Sequence, residues 1–544
     1  MNDDKLFIIA IGGTGMRCLE AFVHLCAIGM FDNKEIEILT LDTDQANGNK
    51  GRVEQLIELY NRVKTNDETN KGGSPNANTF FSAKLNMYRF FTDYSRNDRK
   101  TFTALSQVTN LAPELSEDNK DITDLLLDED VQEFNLEHGY RAQTHLGSML
   151  MYHGIIEAAI RAKRGGKDVK AQELALKEFI ELIHKNSSKA RIFIFGSVFG
   201  GTGASSIPVV PIALKEAVSI LMNGSDLKLS NVKFGSTLLT DYFTFNPPTD
   251  TQKNTEHVVA ASSNFALNSQ AALQFYIEDP TVSTFYKRLY HIGCPVSLKS
   301  DYSRDNKAGQ TVTGGADQKN PCHLVELMCA CAAYDFFTGD INEKQANYLY
   351  RNVEVDNAGE LRLTGKNFCN DGDKFENKLG SFLSLAHLML SKHAAAFGAE
   401  GTYSFLDRFH AQKIHDYDDI TPEQAKEIDN YLKMFAYDIE KGELVKGWIY
   451  QVAESVGSGS FIFVPNAFET SVSALSSKKY DPGWIFRDDA HNWAKSWPNS
   501  RYDVFVSKGL KNDCFPYEDQ NVKTTKEMFL AHMYNAITKA QHFN

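Results

Sequence analysis

The sequence predicts an α/β protein built on a parallel sheet. GGTG occurs twice, at Gly12-Gly13-Thr14-Gly15 and at Gly200-Gly201-Thr202-Gly203. Each copy follows a short apolar run and precedes a stretch with helical spacing: LFIIAI (6–11) before MRCLEAFVHLCAIGM, and RIFIFG (191–196) before SSIPVVPIALKEAVSIL. Strand, glycine turn and helix in that order begin a βαβ unit. Glycine lets a ligand approach the backbone, and the first amides of the following helix have no internal partner, so each turn suits a phosphate-like anion. A single such turn is more often only a tight connection. Two of them, with a further glycine-bounded loop between, favour a ligand.

The remaining elements follow in order. IEILTL (36–41) reads as a second strand and ends in Asp42-Thr43-Asp44-Gln45. Residues from about 62 to 135 are polar, with TNDETNKGGSPNANT and SEDNKDITD, and read as an insertion of surface excursions around short helices. HGYRAQTHLG (138–147) leads into a helix whose Leu150, Gly154, Ile155 and Ala158 share a face, and AQELALKEFIELIHK (171–185) is an amphipathic helix. VKFGSTLLT is a strand ending at Asp241-Tyr242. HVVAASSNFALNSQAALQFYIED is one long or two short helices, and RLYHIG is a strand. After the polar loop TGGADQKN, Asn320 suits an N-cap and Pro321 a first helical position, which starts a helix over CHLVELMCACAAYDFF. That start sets His323 and Glu326 on one face of its first turn. Beyond residue 345 the patterning loosens into helices at 375–397 and 422–438 and a strand GSFIFVP. All four tryptophans, Trp448, Trp484, Trp493 and Trp497, lie in this region. Core packing is their default reading and a protein-partner surface the alternative.

Composition bounds the function. At 544 residues the chain is expected to form two to four domains, or one large α/β domain with additions, and 42% hydrophobic with 23% charged residues is ordinary for a globular protein. A net charge of -13 argues against general nucleic-acid binding. The acidic N-terminus is unlike a signal peptide, no apolar run reads as a membrane span, and eight cysteines without CxxC pairs read as reduced thiols, so a cytoplasmic location is expected. His323 beside Cys322, Cys329 and Cys331 fits no usual zinc spacing, and no protein metal site is expected. No repeat of solenoid period occurs.

In loop order the chain resembles the tubulin/FtsZ superfamily of GTPases. Its first loop, GxGGxG in that family, matches Ala10-Ile11-Gly12-Gly13-Thr14-Gly15 followed by Met16, and Asp42-Thr43-Asp44 resembles the Asn-Thr-Asp loop. Gly139 to Gly147, with Arg141 and Thr144, matches the loop near the γ-phosphate, and Phe199-Gly200-Gly201-Thr202-Gly203-Ala204-Ser205 keeps the centre of GGGTGSG. The resemblance implies a ribose loop at Asp241 and base contacts from Asn264 and Asn268. It implies a Rossmann-type GTPase domain over 1–254, central helices and an acidic-loop region over 255–345, and a C-terminal α+β domain with additions over 346–544. It further implies GTP or GDP with Mg²⁺, and head-to-tail self-assembly in which an acidic loop of one subunit completes the nucleotide site of the next. In that loop Asn320 matches the family's NxDxxD, but Cys322 and Val325 stand where its acids belong, leaving Glu326, His323 and Asn320 as the candidate catalytic residues. Ordinary readings stand beside these: a cap for Asn320, a helix-surface pair for His323 and Glu326, a solvated charge for Arg141.

Two rivals remain. Loss of both loop acids suits a nucleotide-binding scaffold or switch without turnover. A relaxed GxGxxG with Asp42 ending the second strand suits an NAD(P)-dependent Rossmann oxidoreductase, although the spacing from Gly15 is long and the second GGTG has no role there. No GxxxxGK[ST] occurs, which excludes a P-loop enzyme.

Overall fold

The computed structural model describes residues 4–65, 73–93, 100–106, 123–251, 253, 258–302, 315–318, 320–341, 354–355, 361–362, 365–387, 389–390, 422–440, 443–455 and 524–540. Six strands form one parallel sheet: β1 (Lys5–Ile11), β2 (Glu35–Asp42), β3 (Lys84–Phe91), β4 (Ala190–Phe195), β5 (Lys233–Leu239) and β6 (Tyr286–Ile292), in the order β3-β2-β1-β4-β5-β6. Such a sheet must be covered on both faces. β1 shows how: Leu6, Ile8 and Ala10 enter one core while Phe7, Ile9 and Ile11 enter the other.

The first face carries α1 (Gly12–Ala27) and α2 (Gly48–Lys64), and the second carries α3 (Thr144–Arg164), α4 (Ala171–Lys185) and α5 (Gly201–Leu221). After α6 (Phe265–Glu278) and β6 the chain returns to the first face as α7 (Leu324–Thr338), which packs against α1 and beside β4, β5 and β6. Its first end lies at the loops that follow β1 and β2, and its other end lies at the start of β4. There buried Arg191 donates to the carbonyls of Phe336 and Gly339, each at 2.8 Å, and pairs with Asp4. α7 therefore spans the sheet from one end to the other, about 22 Å for its 15 residues.

Three expectations are corrected. The stretch 62–135 is not wholly an insertion: KLNMYRFF forms β3, an edge strand paired along its length with β2. The first domain does not end at 254, because β6 completes its sheet. The described C-terminal helices, α8 (Gly372–His387), α9 (Pro422–Phe435), α10 (Trp448–Glu454) and α11 (Thr525–Ala540), do not build a core apart; Phe375, Tyr431, Trp448 and Phe529 share one core with α1, α2 and α7. GSFIFVP and Trp484, Trp493 and Trp497 lie outside the described residues. α5 has the length and apolar composition of a membrane span, but 67% of that window is buried, as in a core helix.

Candidate functional site

In this strand order the connections reverse between β1 and β4, and a crevice opens there at the carboxyl ends of the strands. Both glycine turns lie at that point. Gly12 has a φ of +66°, and a Cβ on it would stand 3.2 Å from Cβ of Thr202, so the two turns touch. Gly15 lets α1 press on β4, since a Cβ there would meet the Phe195 carbonyl oxygen at 2.5 Å. A Cβ on Gly201 would strike the backbone of Tyr140–Ala142 at 2.7–3.1 Å, and one on Gly139 would lie 3.7 Å from Oγ1 of Thr202 and 3.8 Å from Oγ1 of Thr43. The two GGTG loops, Asp42–Asp44 and the Gly139–Thr144 loop thus converge.

Several groups at this point are unspent. The N-caps of α1 and α5 are Ile11 and Gly200, neither offering a side-chain cap to the first amides. Among the described residues Oγ1 of Thr43 and Oδ2 of Asp42 are buried without a hydrogen-bond partner, in residues only 3% and 2% exposed. Buried polar groups are seldom left so, and a ligand is one physical reason. Burial, then the neighbouring Asp44, push the Asp42 carboxyl up to about 7. Its other oxygen accepts from the amides of Thr43 (2.7 Å) and Asp44 (3.3 Å).

Other expected residues take defined places. Met16 points into the core, so only its backbone faces the turn. Arg141, at φ +45°, donates to the Val258 carbonyl at 2.7 Å and lies over the Phe134 ring, and Thr144 begins α3. Asp241 pairs with Lys299. Asn268 reaches the carbonyl of Phe199, beside the second turn, at 3.4 Å, whereas Asn264 is exposed at the start of α6.

The candidate catalytic group is corrected. Glu326 is fully buried, taking 3.1 and 3.0 Å bonds from Nε and Nη2 of Arg17 and 2.8 Å from the Tyr242 hydroxyl, so it cannot reach the phosphates of another subunit. Asn320 is not the cap of α7. His323 is: its Nδ1 accepts from the Val325 amide at 3.2 Å, while the Glu326 carboxylate accepts from the His323 amide at 2.9 Å. His323 is buried as well, with Nε2 3.1 Å from the Leu298 carbonyl. Both ring nitrogens of His323 thus face backbone groups of the same chain, not the crevice between the glycine turns.

Sequence reasoning missed the amide cluster over the first turn. Asn47 Nδ2 donates to Gln318 Oε1 at 2.6 Å, Asn49 and Asn320 bond reciprocally at 3.0 and 3.2 Å, and the Gly315 amide donates to Asp44 at 2.6 Å. Partners 271 residues apart leave no local signal. A Cβ on Gly13 would meet Asn47, Gln318 and Asn49 at 3.4–3.6 Å, so this cluster roofs the first turn from within the same chain.

No family model and no curated protein matches the chain. Among the described residues no group of three or more His, Cys, Asp or Glu side chains is arranged to hold a metal ion. Asp42 and Thr43 fit Mg²⁺ only in company with phosphate oxygens and water, the usual manner of that ion. A separate crevice at the end of β3, lined by Thr92, Asp93, Glu157, Arg161 and Glu173, holds only about 30 Å³, room for a water or two.

Proposed function

We propose that the chain is a tubulin-like GTP-binding protein that assembles head to tail. The observation that carries the reading is the meeting of two uncapped helix N-termini with the Thr43 hydroxyl and Oδ2 of Asp42, both without a hydrogen-bond partner among the described residues, at the β1/β4 crevice. Helix amides favour negative charge, and glycines let phosphates close to the backbone. Asp42 holds a proton at acidic pH and a charge above about 7, so it can donate to a phosphate directly or face it through Mg²⁺.

Hydrolysis in this reading belongs to the other end of the molecule. α7 carries the chain across the sheet and releases the exposed Asp340 at the face opposite the glycine turns. Stacked head to tail, one chain's opposite face meets the next chain's turns, which puts Asp340, not Glu326, in reach of a neighbour's γ-phosphate. Phosphoryl transfer asks for little more than charge neutralisation and an oriented water.

The test measures GTP, ATP and NADH binding, then phosphate release and pelleting across protein concentrations. GTP retention near one per chain, with release per chain rising with concentration, is expected. Asp340→Ala is expected to bind GTP normally and lose at least tenfold in release. Retention of NADH without GTP would favour the dinucleotide rival, for which Asp42 at the end of β2 is the supporting feature. Release independent of concentration and untouched by Asp340→Ala would defeat the assembly mechanism, and GTP binding without release would leave the switch.

A further inference from the structure

The amide cluster over the first glycine turn contains a donor whose direction is fixed. Asn47 is the N-cap of α2: its Oδ1 accepts from the amides of Asn49 at 3.0 Å and Lys50 at 3.3 Å. Its other amide atom must then be the Nδ2 donor, and the Gln318 atom facing it at 2.6 Å must be the Oε1 acceptor. Gln318 Nε2 is left as the opposite arm of the carboxamide, and it makes no hydrogen bond among the described residues. The same logic holds for Asn320. Its Oδ1 accepts from Asn49 Nδ2 while its amide donates to Asn49 Oδ1, and its Nδ2 is left without a partner among the described residues.

We propose that Gln318 is a ligand-contact residue that donates an amide N–H from within the same chain to the phosphates of the nucleotide bound over Gly12 and Gly13. The inference rests on the nucleotide reading and deepens it: the site is roofed in cis, by neutral carboxamides. Three observations support it besides the fixed donor. Gln318 Oε1 lies 3.5 Å from the place of a Cβ on Gly13, so the carboxamide stands at the uncapped start of α1. The Gly315 amide donates to Asp44, and the Gly48 amide bonds back to the Gly315 carbonyl at 3.0 Å, so the roof is tied to the loop bearing the Thr43 hydroxyl, which has no hydrogen-bond partner among the described residues. A half-buried donor with its acceptor arm already fixed loses little entropy on meeting a phosphate oxygen. An acid in the same place would repel the ligand.

Equilibrium binding of N-methylanthraniloyl-GTP tests this, with tripolyphosphate and guanosine as competitors, on the full chain and on Gln318→Ala and Gln318→Glu. Failure of the unaltered chain to bind either phosphate ligand would sink the nucleotide reading and this inference with it. Given binding, Gln318→Ala is expected to weaken GTP and tripolyphosphate at least fivefold without moving guanosine, while the lost bond from Asn47 lowers the unfolding midpoint in Gln318→Ala and not in Gln318→Glu. Gln318→Glu keeps the bond from Asn47 and replaces the donor by a charge, and it is expected to weaken both phosphate ligands more than fiftyfold. Equal GTP affinity in all three chains would overturn the role of Gln318 while leaving the nucleotide site standing. A loss shared equally by guanosine would overturn the phosphate contact.

Discussion

Glu326 accepts from Arg17 twice, from Tyr242 and from the amide of its own N-cap residue, all inside the core. Arg17 also donates to Glu20 at 3.1 Å, and Glu20 pairs with Arg52 at 2.7 Å, so two buried acids face two cations and the charges balance. Such a cluster need not add stability over an apolar core, but removing one member strands its partner. Glu326→Ala is therefore expected to cost about 3–5 kcal/mol, read as a lowered urea midpoint. A catalytic Glu326 requires the reverse, an unchanged midpoint with phosphate release lost. The same burial that disqualifies Glu326 fastens α1 to α7, and so fixes the first glycine turn relative to the roof above it.

At the scale of elements, α5 carries Pro208 and Pro211 inside a buried helix, and each ring removes the amide that would bond the carbonyl four residues earlier. Those carbonyls, of Ala204 and Ile207, are each met at 2.5 Å by a tyrosine hydroxyl, Tyr276 from α6 and Tyr286 from β6. The elements that follow β5 thus make good the bonds α5 gives up, and hold the second glycine turn in place. Tyr276→Phe is expected to cost about 1–3 kcal/mol by leaving a buried carbonyl unpaired. Pro208→Ala in that background restores an amide and should recover most of the loss; equal effects of Pro208→Ala with and without Tyr276, measured by urea unfolding, would refute the pairing. Neither pairing is visible along the chain, because tyrosines 72 and 79 residues away leave no mark on a helical pattern. What was legible were the local features: the glycine turns, the apolar runs of β1, β2, β4, β5 and β6, and the helices after the turns. β3 was missed because Lys84, Asn86 and Arg89 break the apolar run of KLNMYRFF, and they find partners only in the fold: Lys84 and Asn86 meet Glu35, and Arg89 meets Glu54. Asn320 misled for a related reason. Asn-Pro is a good helix start in isolation, yet the Asn320 side chain is already committed to Asn49.

For the whole molecule, the joint between α1 and the C-terminal helices centres on His24. The imidazole packs 4.6 Å from the Trp448 ring and 5.4 Å from Phe435, and its Nδ1 meets the Tyr431 hydroxyl at 3.1 Å. α1 leaves the first glycine turn at its other end, so this joint couples the C-terminal helices to the candidate site through one rigid element. Burial without a nearby counter-ion of sufficient weight pushes the His24 imidazole down to about 3 from its ordinary 6.5. Above pH 6.5 the ring is neutral in both folded and unfolded chains and the shift has no effect. As pH falls from 6.5 toward 3 the unfolded chain takes up a proton that the folded one refuses, so stability drops by up to about 1.4 kcal/mol per pH unit. Urea midpoints taken from pH 7 to 4.5 should therefore fall more steeply in the unaltered chain than in His24→Phe, which keeps the aromatic packing and has no site to titrate. The two curves should be offset by the lost Tyr431 contact and parallel near pH 7, and identical slopes between pH 6.5 and 4.5 would refute the depressed His24 imidazole.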